Sequence, residues 1–218
     1  MCAPRRPKAR DRSGAAALGS PAVEDAARAP INVCVYCASH IGDDPAFADA
    51  AAAVGAALAL RGADVVYGGG QVGLMGIVAD AAIAGGSAVT GVITEHLMRP
   101  EVAHQGLHEL VVVDGMPERK REMFDRADAF VVLPGGVGTM EEMFEVLCWG
   151  YLGLHPKPVG LLNVAGYYDH LVAFLDQSVT HGICKPRVRD LLLVGDRPTE
   201  LLDRVLSAAR AGEDRPRV

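Results

Sequence analysis

The stretch AFVVLPGGVGTMEEMFEVLCWG, residues 129–150, decides the fold. Five residues suited to a buried strand run into Pro134, three glycines within four positions, a threonine and two glutamates. A helical pattern comes next. Glycine permits positive φ and lets a ligand come close to the backbone. A helix N-terminus offers unpaired N–H groups and a partial positive charge. Strand, glycine loop and helix in that order make an anion cradle. A second stretch, VYGGGQVGLMG at 66–76, repeats the arrangement.

Outward from these two loops the chain alternates. Short β-branched runs fall at 32–37, 64–67, 88–93, 110–113, 129–133, 158–163 and 191–194. Helical periodicity falls at 45–61, 74–85, 117–127, 140–152, 167–181 and 198–210. Near-continuous apolar strands imply burial on both faces, hence a parallel sheet. Alternation implies right-handed crossovers. The expectation is an α/β, Rossmann-like doubly wound parallel sheet of about seven strands. It forms a single domain over residues 31–212, preceded by a disordered tail at 1–30. In such a fold ligands sit beyond the carboxyl ends of the strands. The segments just after the strands are therefore the candidate ligand contacts: Ala38-Ser39-His40, Gly68–Gly76 and Pro134–Thr139. The alternation breaks at 94–109, a long connection of the kind that often carries function.

Composition narrows the partners. The formal charge is −6, and residues 1–30 hold six basic and three acidic residues, which leaves −9 for residues 31–218. An acidic body with few aromatics argues against nucleic acid or an anionic membrane as partner. A phosphorylated ligand would have to be held locally, largely by backbone amides. Five scattered cysteines point to a reducing compartment and a cytoplasmic protein. Cys34 and Cys37 form C-x-x-C inside a strand, where i and i+3 face opposite sides and chelate poorly. No apolar run reaches the roughly 18 residues needed to span a bilayer.

The residue types limit the chemistry. Neither loop carries the Lys-Ser/Thr of a Walker A motif, and no acidic residue ends the strand expected at 88–93, so a dinucleotide is disfavoured. Two glycine loops on one sheet edge point to a phosphorylated ligand. Thr139 and Glu142 have the spacing of a capping box, Thr139 as N-cap and Glu142 reaching back to its amide. Glu142 also has the position of an ionised carboxylate on the first turn of a helix facing the cleft, and the two readings can coexist. Glu141 reads as a solvated charge. Arg119 and Lys120 open the helix after the strand at 110–113 and oppose its dipole, which an anionic ligand would reverse. His96, His104 and His108 lie in the 94–109 connection and read as a surface loop rather than a metal site. Trp149 and Phe144 read as core or dimer contacts.

The stretches at 66–76, MPERKREMFDRADAFVVLPGGVGTMEE at 116–142 and GYLGLHPKPVGLLNVAGYYDHLV at 150–172 resemble the LOG (LONELY GUY) family. These are cytokinin riboside 5′-monophosphate phosphoribohydrolases, many once labelled lysine decarboxylase-like. The resemblance runs from about residue 31 to 205. It implies a Rossmann-like fold, a homodimer, no cofactor and no metal. It also implies cleavage of a nucleoside 5′-monophosphate, of AMP or isopentenyl-AMP type, into free base and ribose 5-phosphate. By position, Arg119 and Glu142 match the catalytic pair and Lys120 a substrate-binding lysine. Gly135, Gly136, Gly138 and Thr139 match the phosphate loop, Gly69, Gly70 and Gly73 complete the cleft, and Ser39 joins them after the first strand. Glu101 matches a substrate-binding glutamate in the long connection. Three positions depart from the family pattern: Pro117 replaces a histidine, Ala38-Ser39-His40 replaces Gly-Ser-Ser, and Cys148 replaces a threonine.

The older decarboxylase label meets a physical objection. Such chemistry normally uses pyridoxal phosphate on a lysine Schiff base. The four lysines are Lys8, Lys120, Lys157 and Lys185, of which only Lys120 is placed for it. The competing class is a carrier of the same fold that binds a nucleotide or cofactor without hydrolysing it. Arg119 and Glu142 favour the enzyme.

Overall fold

The computed structural model describes residues 29–98 and 103–213, together with Met1. The expected tail lies almost wholly outside the described residues, as does Glu101. Seven strands and seven helices are described: β1 (Asn32–Tyr36), α1 (Pro45–Leu60), β2 (Asp64–Tyr67), α2 (Gly73–Ala84), β3 (Val89–Thr94), β4 (Glu109–Val113), α3 (Met116–Arg126), β5 (Ala129–Val132), α4 (Val137–Tyr151), β6 (Val159–Leu162), α5 (Asp169–Thr180), α6 (Pro186–Asp190), β7 (Leu192–Gly195) and α7 (Pro198–Glu213). Short 3₁₀ turns stand at Glu95–Leu97 and Val164–Gly166.

The strands form one sheet in the order β4-β3-β2-β1-β5-β6-β7, parallel at every pairing. The chain starts in the middle at β1, winds out through β2 and β3 to β4, then returns to β5 on the other side. The β1 and β5 loops therefore part at a switch of winding direction, which opens a crevice at the carboxyl edge. Both glycine loops lie on that edge, after β2 and after β5.

Alternate residues of the central strands feed two cores. Val33, Val35, Tyr67 and Val131 pack with α1, α2 and α7 on one face. Cys34, Tyr36, Phe130 and Val132 pack with α3, α4 and α5 on the other. Cys34 and Cys37 thus lie on opposite faces, and burial raises both thiols. No helix among the described residues is long and apolar enough to cross a membrane.

The expected strands and long helices recur with ends moved by no more than three residues. α4 starts three residues early, at Val137, with Gly136 as N-cap and no side-chain cap hydrogen bond. The capping box is therefore absent. Thr139 sits inside the first turn, buried at 5 % exposure, and Glu142 lies in the second turn. The exposed loop expected at 94–109 is also corrected, because His104 is buried at its centre. The five-residue α6 was not anticipated, being too short to show a period.

Candidate active site

The α4 end of the site is a backbone surface. Gly136 and Gly138 are exposed, and a Cβ built on either would meet nothing within 4 Å. The start of α4 is therefore open to close approach at these two glycines. The loop behind them is held rigidly. Tyr167 Oη donates to the Gly135 carbonyl at 2.9 Å and Tyr168 Oη to the Leu133 carbonyl at 2.7 Å. The Ala38 amide donates to the Pro134 carbonyl at 3.1 Å. Thr139 packs under Gly135, where a Cβ would lie 2.1 Å from its Oγ1.

The β2 loop forms the neighbouring wall. Gly73 has φ +66°, and a Cβ there would lie 2.2 Å from the Ser39 carbonyl carbon. Only glycine suits that conformation and that approach. Ser39 is exposed at the rim beside it. Gly69 is also in the left-handed region, at φ +75°, and its carbonyl accepts the His104 amide at 3.0 Å. Gly70 forms an isolated antiparallel bridge with Ala103.

Between the walls lies a buried ion pair. Arg119 comes from α3 and is 6 % exposed. Its Nε donates to the Val92 carbonyl at 2.9 Å and its Nη2 to the Gly68 carbonyl at 3.1 Å. One carbonyl within β3 and one just after β2 thus hold the guanidinium in place, and Nη1 faces Glu142 Oε1 at 3.5 Å. A Cβ at Gly68 would fall 2.1 Å from Nη2, so any other residue there would displace the guanidinium. Glu142 is 12 % exposed. Burial pushes its carboxyl up to about 7, against the opposing pull of Arg119. The expected preference for the ionised form through the helix dipole is outweighed, because the dipole's influence fades beyond the first turn.

Lys120 turns the other way. Its ammonium bonds Glu141 and, at 3.0 Å, Glu145, and the Glu141 hydrogen bond raises its affinity for a proton. The pair ties α3 to α4, so Glu141 is a partner of Lys120 rather than a free surface charge. Cys148 is exposed on α4. Trp149 packs edge-on against Phe124, whereas Phe144 is exposed. Among the described residues no cluster of His, Cys, Asp or Glu could hold a metal ion.

The structure thus brings together Arg119, Glu142, Gly69, Gly70, Gly73, Ser39, Gly135, Gly136, Gly138 and Thr139 on one edge. Four contributors have roles that the sequence did not suggest. Gly68, expected as a ligand contact, clears room for Arg119; Tyr167 and Tyr168 brace the loop before α4; and His104, expected on the surface, braces the β2 loop. The tyrosines act across 32 and 35 residues of sequence, so no local spacing marks them.

Residues 75–205 match the model of a family described as possible lysine decarboxylase. The chain is 44 % identical over 182 residues to the probable cytokinin riboside 5′-monophosphate phosphoribohydrolase LOGL1 of Oryza sativa subsp. japonica, covering 84 % of this chain and 82 % of the relative. It is 52 % identical over 161 residues to the rice protein of the same description called LOGL9, covering 74 % and 71 %. Among solved structures, the Moco carrier protein from Chlamydomonas reinhardtii superposes with a TM-score of 0.63 at 17 % identity, covering 84 % of this chain and 99 % of that one. That likeness concerns the fold alone. With a family model spanning most of the chain and relatives this similar over most of their own length, the chain belongs to the family described as possible lysine decarboxylases, and within it to the LOG proteins.

Proposed function

We propose that this chain hydrolyses the N-glycosidic bond of adenosine 5′-monophosphates, N6-substituted ones included, and releases free base and ribose 5-phosphate. The buried Arg119–Glu142 pair beside the open glycine-lined start of α4 is the observation that carries this reading. The 5′-phosphate is held by the amides of Gly136–Thr139, so binding energy remote from the bond sets the geometry. The sugar–base bond then lies toward Glu142 and Arg119. Bond breaking leaves an oxocarbenium-like sugar, which a carboxylate stabilises. A carboxyl that titrates near 7 is also suited to take the proton of the attacking water. Water adds at C1′, and the purine leaves with the electron pair and gains a proton. Arg119 orients the departing purine, with its own position fixed by the Val92 and Gly68 carbonyls.

Lys120 serves this site by holding α3 against α4 rather than by meeting the phosphate directly. The same engagement with Glu141 and Glu145 makes it a poor Schiff-base lysine. Lys157 is spent on the Phe124 carbonyl just ahead of β6, at the opposite edge of the sheet. A decarboxylase reading therefore finds no free lysine at this site among the described residues. Glu101 contributes a substrate contact in this proposal. The protein acts as a cytoplasmic homodimer. Val137, Phe144 and Cys148 on α4, with Leu152 at its C-cap, form an exposed stripe that supports self-association.

The test is release of free base from AMP and from isopentenyl-AMP, with Glu142→Gln and Arg119→Ala alongside. Wild type should release base, and both variants should lose about 10²- to 10⁴-fold in kcat. Tight nucleotide binding with neither substrate cleaved would identify a carrier instead.

A further inference from the structure

Asp80 lies in the third turn of α2 and is not among the residues of the site. Its Oδ1 is 3.0 Å from Nε2 of His104, a ring that is only 5 % exposed. The His104 Nδ1 accepts the Gly106 amide at 2.9 Å. An N–H donated to Nδ1 leaves the ring proton on Nε2, from where it is donated to Asp80. Both nitrogens are thus committed, which locks the ring. The same residue's amide donates to the Gly69 carbonyl at 3.0 Å, and its neighbour Ala103 bridges Gly70. The adjacent Gly68 carbonyl is the one that receives Arg119 Nη2. A continuous path therefore runs from Asp80 through His104 and the β2 loop to the guanidinium.

We propose that His104 and Asp80 are positioning residues. Together they press residues 103–106 onto the Gly68–Gly70 backbone and so set the orientation of Arg119 toward Glu142. This rests on the nucleotide-hydrolase reading for its effect on rate, but the clamp itself does not. The Asp80 side chain is 69 % exposed, so its replacement leaves the core intact. An asparagine there still offers an oxygen to His104 Nε2–H, whereas an alanine does not.

The experiment compares Asp80→Ala and Asp80→Asn with wild type. It measures steady-state hydrolysis of AMP, affinity for ribose 5-phosphate by calorimetry, and amide hydrogen exchange at 68–70 and 103–106. For Asp80→Ala we expect kcat to fall about tenfold or more, since small displacements of an orienting group cost that much. Affinity for ribose 5-phosphate, held at α4, should stay within about twofold, and Asp80→Asn should recover most of the rate. Amides at 68–70 and 103–106 should exchange about tenfold faster in Asp80→Ala alone. A merely structural role would lower the melting temperature and leave kcat unchanged. An unchanged kcat, or unchanged exchange at both segments, overturns the proposal. Should wild type release no base at all, the hydrolase reading fails, and the exchange data still decide whether the clamp exists.

Discussion

Glu142 is an acid group in a setting that works against its charge. It is almost enclosed, and the nearest cation approaches only to 3.5 Å. A carboxyl raised to about 7 is protonated below that pH and ionised above it. If the carboxylate form serves catalysis, kcat/KM of the free enzyme should rise with pH through about 7 and level off above it. A rate profile from pH 5 to 9 checks this, and a flat profile would contradict the role given to Glu142. The sign for stability is opposite. The folded state holds a proton that the unfolded chain has already released, so this group's contribution to stability falls as pH rises from about 4.5 to about 7. The Arg119–Glu142 pair was legible in the sequence only through its resemblance to a family. Spacing alone favoured a capping box, because T-x-x-E reads the same whether the helix is capped at Thr139 or three residues earlier, at Gly136. Packing decided between them, since Thr139 fits into the space that Gly135 leaves open.

The two glycine loops differ in what their glycines do. At Gly73 the backbone has positive φ and the Ser39 backbone lies against it. Gly73→Ala should cost more than about 2 kcal/mol, read as a lower denaturant midpoint at constant m. Gly136 has ordinary negative φ and open space. Gly136→Ala should change stability by less than about 0.5 kcal/mol, yet raise KM for the nucleotide because the methyl enters the phosphate's space. Gly68→Ala should differ from both. Its methyl meets the Arg119 guanidinium rather than the backbone, so kcat should fall more than stability does. The inner strands β1, β2, β3, β5 and β6 were the most legible elements because burial on both faces writes an uninterrupted apolar run, whereas the edge strand β4 is largely exposed. The brace at His104 was not legible. Three histidines in a long connection look like surface residues until the fold places one of them beside Asp80, 24 positions earlier.

At the scale of the whole molecule, the sheet order places the β1 and β5 loops on either side of the winding switch, and everything in the site descends from that. In the proposed mechanism the phosphate is received at one helix start, despite an acidic body, because a handful of amides act at short range where net charge does not. Salt should therefore weaken nucleotide binding only slightly. In the proposed homodimer the exposed stripe on α4 meets a second copy of the chain, so sedimentation should give about twice the 22.9 kDa chain mass. Phe144→Glu should shift that value toward the monomer, and a wild-type monomer would contradict the proposed assembly.

The most direct measurement is a crystal structure of the Glu142→Gln variant with AMP bound. The phosphate oxygens should lie on the amides of Gly136–Thr139, with C1′ facing residue 142 and the purine nitrogen near Arg119. A nucleotide lying elsewhere on the sheet edge, or bound with its phosphate away from α4 and its sugar out of reach of position 142, would contradict the proposed mechanism.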